Sequence, residues 1–160
     1  MKRIAVPFLL LAALLLFAAC EKKNAYRSDV SVAALSEAVE QYVDGNGLAE
    51  MTEGYVSGMM HMDISLFEEY LVKISAYGSS IDEYGIFKSA DEDSISAVKA
   101  QAEAYLQLRK DSWMEEYLPE EKPKLTQAAV KTCGRYVIYL ILGDDARQSA
   151  LDAFENALKN

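Results

Sequence analysis

The sequence predicts an α+β fold: an antiparallel sheet of about four strands in two hairpins, with helices packed on it in two layers. Three observations point there. Alternating or doubly apolar runs occupy 67–75, 81–88, 129–133 and 136–142, and each pair is broken by a turn that contains glycine. Apolar residues at helical spacing precede, separate and follow these runs. The resulting order, α-α-β-β-α-β-β-α, suits an antiparallel sheet with helices laid on it.

Each element has its own local reason. Ser31 is a good N-cap, and Val32, Leu35, Val39 and Tyr42 follow at helical spacing until Gly45 stops the helix. Residues 44–47 read as a loop, and a short second helix runs over 53–60. In the strand at 67–75, Tyr70, Val72 and Ile74 share one face, and Glu69, Leu71 and Lys73 share the other. Residues 76–80 form the turn, with Gly78 free to take positive φ, and 81–88 completes the hairpin. Ser89 and Glu92 make a capping-box pattern ahead of a long helix. Ile95, Val98, Ala102, Tyr105 and Arg109 form its stripe, Trp113 and Tyr117 extend it, and Arg109 snorkels at its edge. Pro119 ends that helix, and Pro123 keeps the next stretch irregular.

The second hairpin turns at Cys133 and Gly134. Its last strand is apolar on both faces, with Val137, Tyr139 and Ile141 on one and Tyr136, Ile138, Leu140 and Leu142 on the other. Such a strand is expected to be central and covered on both sides, whereas Lys88 and Lys131 are expected in solvent. Asp144 caps a final helix that turns Ala150, Leu151, Phe154 and Leu158 inward.

The N-terminus has a different character. Lys2 and Arg3 precede an uncharged stretch from Ile4 to Ala19, shorter than the roughly 20 residues a spanning helix needs. It suits the apolar region of an export signal, with Pro7 near its start, where a helix tolerates proline best. The stretch ends in Leu16, Phe17, Ala18, Ala19 and Cys20, then turns polar at Glu21. These five residues resemble the lipobox of bacterial lipoproteins, with Phe17 where leucine is usual. The resemblance implies that Cys20 receives a diacylglyceryl thioether and becomes the mature N-terminus. An ordinarily cleaved signal and an uncleaved anchor are the competing readings, and two small residues directly before the cysteine favour lipidation. The expected organisation is a signal peptide at 1–19, the lipidated Cys20 and a polar tether to 28, and one α+β domain at 29–160. The expected location is the outer face of the cell membrane, because two acyl chains give stable attachment.

Charge and cysteine content narrow the partners. The chain has 16 Lys and Arg against 25 Asp and Glu, and Lys2 and Arg3 fall in the leader, so the domain is more acidic than the whole chain's −9. Nucleic acid is not an expected partner, since its binding rests on a basic face. Anionic lipid is disfavoured for the same reason, which leaves the lipid on Cys20 as the attachment to the membrane. There are two cysteines; with Cys20 acylated, Cys133 has no intrachain partner and reads as a small packed residue.

The stretches DVSVAAL (29–35), SIDEYGIFK (80–88), YLP (117–119) and GRYV (134–137) are similar to those of Gram-positive lipoproteins that carry domain of unknown function 4358. The resemblance extends over about 29–158. It implies a clostridia-like source and a cell-surface location, and it carries no activity to any position.

Reactive chemistry is sparse. His61 is the one histidine, which excludes a zinc site built on several. Met59, His61 and Met62, with Met60 between them, offer thioether and imidazole ligands of the kind copper(I) takes, although methionine also fills gaps in a core. Residues 44–47 and 91–93 could attract calcium, but neither continues into an EF-hand's spaced ligands. Glu68, Glu69, Asp82 and Glu83 lie on neighbouring strands and could face each other as a carboxylate pair, while solvated strand ends also account for them. No nucleophile elbow, P-loop or dinucleotide fingerprint is present, so no cofactor and no catalytic residue is assigned. Ten tyrosines exceed what the core needs and favour a recognition surface. The expected function is a lipid-anchored domain that binds or scaffolds a ligand at the cell surface. A small envelope hydrolase using carboxylates is the alternative, and a metal-handling lipoprotein the third.

Overall fold

A computed structural model describes residues 26–43, 47–114 and 116–160. The expected signal peptide, Cys20, most of the tether, and Asp44, Gly45 and Asn46 lie outside the described residues. Five strands form one antiparallel sheet: β1 (Leu48–Glu50), β2 (Phe67–Ser75), β3 (Glu83–Ser89), β4 (Ala129–Cys133) and β5 (Tyr136–Ile141). Their spatial order is β1-β2-β3-β5-β4. The helices are α1 (Val32–Glu40), α2 (Ile95–Asp111), the short α3 (Lys122–Thr126) and α4 (Asp144–Leu158). None of the described helices is long and apolar enough to cross a membrane.

The class is α+β, with the two hairpins the sequence implies, but the sheet gains a fifth strand and helices cover both of its faces. There are therefore three layers rather than two. On one face Leu35 and Val39 of α1 and Phe154 and Leu158 of α4 pack on Tyr84, Ile86, Tyr136, Ile138 and Leu140. On the other, Val98, Ala102 and Tyr105 of α2 pack on Val72, Phe87, Val137, Tyr139 and Ile141. β5 is fully buried along its whole length, as its doubly apolar sequence requires. β1 is too short to show alternation; it is recruited by the edge of β2, pairing Leu48 with Ser75 and Glu50 with Lys73.

Several boundaries differ from the sequence expectation, each for a local reason. The Ser31 hydroxyl caps α1 by accepting from Ala34 N at 3.2 Å, but the helix ends at Glu40, so Tyr42 falls past it and is exposed. Ser89 and Glu92 form no capping box: Ser89 ends β3 and donates to the Asp91 carbonyl, while the Asp91 carboxylate accepts from Ser94 N at 2.8 Å and so caps the turn before α2. α2 stops at Asp111, well short of Pro119, where the Ser112 hydroxyl takes the Leu108 carbonyl at 2.7 Å. Trp113 and Tyr117 therefore do not extend its stripe. Pro123 lies in the first turn of α3, where its missing N–H leaves no bond unmade, instead of keeping the segment irregular.

Gly143, not Asp144, is the N-cap of α4, and Asp144 opens the helix, where its charge suits the dipole. Gly78 does not take positive φ, because the β2–β3 loop is held by Ser75 and Ser80 side chains instead; Gly134, at φ +57°, makes the β4–β5 turn. Lys88 and Lys131 are not in solvent. Lys88 is 6 % exposed, its Nζ lying 2.6 Å from Glu68, and Lys131 is half-buried against Glu155 of α4.

Candidate functional site

Glu83 opens β3 between Ile74 of β2 and Ile141 of β5, and it is fully buried on the α2 face. Two residues on, Gly85 pairs with Tyr139, and a Cβ there would lie 2.3 Å from the Tyr139 ring. The missing side chain lets that ring lie across β3, and the Tyr139 hydroxyl donates to Glu83 Oε1 at 2.7 Å. α2 brings Tyr105 and Arg109 to the same carboxylate, one helical turn apart. Arg109 Nη2 is 3.3 Å from Glu83 Oε2, and the Tyr105 ring meets Tyr139 edge-on at 5.5 Å. The cluster is incompletely bonded: Glu83 Oε2, the Tyr105 hydroxyl and Arg109 Nε are buried without an aligned hydrogen bond.

Burial drives the Glu83 carboxyl above the usual carboxylate range, and Arg109 and the Tyr139 and Tyr105 hydroxyls only partly oppose this. Burial, reinforced by Glu83, likewise pushes the Tyr105 and Tyr139 hydroxyls well up, so both keep their protons.

Over this cluster lies a cleft of about 350 Å³, whose walls include Tyr55, Met59, His61, Tyr105, Leu108 and Arg109. One wall is a π-helical turn, Tyr55–Met59, closed by Met60 N donating to the Tyr55 carbonyl. His61 follows at φ +56°, a left-handed conformation uncommon for a residue with a side chain. Wide helical turns and left-handed residues both cluster at functional sites. A wider depression, about 550 Å³, lies near the other end of β3 beside Arg27, Asp91 and Arg135. Three of its charged side chains pair, Arg27 with Asp29, Asp91 with Ser94 and Arg135 with Glu68, while Arg135 Nε is buried without an aligned hydrogen bond.

The Met–His run is divided by the fold. Met59 and His61 stand at the cleft, Met59 being 64 % exposed, whereas Met60 and Met62 are buried in the core under α2. Among the described residues no three His, Cys, Asp or Glu side chains converge as a metal shell. The four hairpin acids do not face each other. Glu68 and Glu69 hold Lys88 near one end of β3, and Glu69 also accepts from Val32 N at 2.8 Å. Asp82 pairs with Lys124 at the other end, beside the buried Glu83. Cys133 is a buried free thiol whose pKa burial pushes up, which fits packing rather than nucleophilic attack. Tyr42, Tyr77 and Tyr117 are exposed, while Tyr84, Tyr105, Tyr136 and Tyr139 are core.

Sequence reasoning noticed Glu83 and Arg109 separately and did not join them. The available signal was an arginine at the edge of an apolar helical stripe together with an acid at the start of a strand.

The family model described as Domain of unknown function (DUF4358) matches residues 41–142. No curated protein matches the chain, and no solved structure matches it. The matched span contains the whole sheet, α2 and every residue of the Glu83 cluster and its cleft; α1 and α4 lie outside it. With its sheet and candidate site inside that match, the chain belongs to the Domain of unknown function (DUF4358) family.

Proposed function

We propose that this protein is a lipid-anchored binding domain on the outer face of the cell membrane, and that it takes a small ligand in the cleft over Glu83 and Arg109. One observation carries the binding reading: a small-molecule-sized cleft whose wall holds Tyr105 and the partly exposed Arg109, backed by the buried, incompletely hydrogen-bonded Glu83. The anchor reading rests on Ala18, Ala19 and Cys20 after the apolar leader.

The two halves have separate tests. Cys20→Ala is expected to move the protein out of the membrane fraction or leave it as an unprocessed precursor; a mature N-terminus other than residue 20, found by mass spectrometry, would overturn the anchor. For the cleft, the chain's single histidine stands at the site, so the His61 ring resonances report occupancy directly. A ligand that shifts them should also raise the melting temperature, because it binds the native state alone. Stabilising ligands that leave His61 untouched would place recognition elsewhere.

A further inference from the structure

We propose, building on that reading, that the cleft selects a small monocarboxylate with a flat apolar body. Arg109 and Tyr105 line the cleft, and the Arg109 guanidinium meets Glu83 at 3.3 Å as an ion pair without an aligned hydrogen bond. The one unmet acceptor, Glu83 Oε2, is fully enclosed and already has Arg109 at 3.3 Å. The cleft therefore presents a partly exposed guanidinium that can take a further acceptor. Arg109 is the cation in the cleft wall, its side chain 30 % exposed, and a guanidinium matches the two oxygens of a carboxylate with parallel N–H bonds.

Charge sets the upper limit on the ligand. Glu83 offsets part of the arginine's charge, and the chain as a whole is at −9, so the surroundings oppose a doubly charged anion such as a phosphate ester. Shape sets the body. Tyr55, Met59 and Leu108 supply apolar wall on either side of Arg109, and Gly58 leaves the mouth open, with no atom within 4 Å of where its Cβ would stand. An aromatic or short aliphatic acid fits both the wall and the guanidinium.

The test titrates benzoate into the full chain in a non-ionic detergent and follows the His61 ring signals. Benzamide keeps the shape without the charge, and benzylammonium reverses the charge. Benzoate is expected to give saturable shifts with an affinity at least roughly tenfold above that of benzamide, the ratio a charge-assisted hydrogen bond supplies. Arg109→Lys keeps the charge beside Glu83 but loses the fork, and should weaken benzoate about tenfold. Gly58→Phe fills the mouth without touching the buried cluster and should abolish the shifts while its thermal melt stays that of the parent. Equal affinities for benzoate and benzamide, or preference for benzylammonium, would overturn the carboxylate assignment and leave the binding cleft standing. Benzoate shifts that persist in Gly58→Phe would show that the acid binds elsewhere. No response to any of the three probes would overturn the cleft itself as a ligand site.

Discussion

Gly85 shows how one absent side chain arranges a site. A Cβ there meets the Tyr139 ring at 2.3 Å, and the neighbouring backbone is buried sheet that cannot give way. Gly85→Ala is expected to cost about 1–3 kcal/mol by overpacking, read from denaturant melts. Glu83 gives a pH signature. Its folded value lies above the ordinary 4.5, so the native carboxyl holds its proton more tightly than the unfolded chain does. The stability this contributes at low pH is lost as pH rises from the ordinary value through the raised one. In Glu83→Gln that loss is absent, so the variant's stability relative to the parent should climb across this window; a flat difference in urea melts at several pH values would count against the buried acid. Glu68 behaves oppositely: hydrogen bonds from Lys88 and Arg135 lower its pKa, and its contribution disappears as pH falls through the depressed value. Nothing local in the sequence signals the burial of Glu83. An acid at a strand end is usually solvated, and only Tyr139 and Arg109, distant in sequence, enclose this one.

At the level of elements, the doubly apolar β5 was the most legible feature. Ile138 is fully buried between α1, α4 and the neighbouring strands, so Ile138→Ala should cost about 2–5 kcal/mol in a denaturant melt. Lys88→Ala should cost about 1 kcal/mol, mainly through the packed stem of a side chain only 6 % exposed, since Glu68 keeps Arg135 and Glu69 keeps Val32 N. Lys131→Ala removes a half-exposed pair with Glu155 and should cost about 1 kcal/mol or less. Alternation placed Tyr70, Val72 and Ile74 correctly on one face of β2 and Leu71 on the other. It could not reveal the three-residue β1. Nor could helical periodicity locate the end of α2, where Ser112 competes for a backbone carbonyl before the proline is reached.

Seen whole, the molecule is a sheet whose two faces support two separate cores, one under α1 and α4 and one under α2. The first has a satisfied polar cluster, Ser36, Tyr84, Glu40 and Lys73; the second has the unsatisfied one around Glu83. That contrast, invisible in composition, separates a structural face from a candidate recognition face. The first described residues belong to the structural side. Tyr26 bridges to Lys159, Arg27 N donates to the Leu158 carbonyl at 2.8 Å, and the Tyr136 hydroxyl donates to the Val30 carbonyl at 2.6 Å. Deleting residues 1–30 should therefore lower the domain's stability by about 1–3 kcal/mol in denaturant melts, since the Tyr136 hydroxyl is left buried without an acceptor. The same contacts decide how the molecule would carry mechanical load. A pull on the backbone at residue 26 reaches the Lys159 bridge first, then the bond to Leu158, then Val30, one contact at a time instead of all together. Each freed residue pays out up to roughly 3.4 Å of slack. Brief tension would thus be absorbed by peeling and re-zipping this short strap, before the paired strands on which the cleft is built had to part.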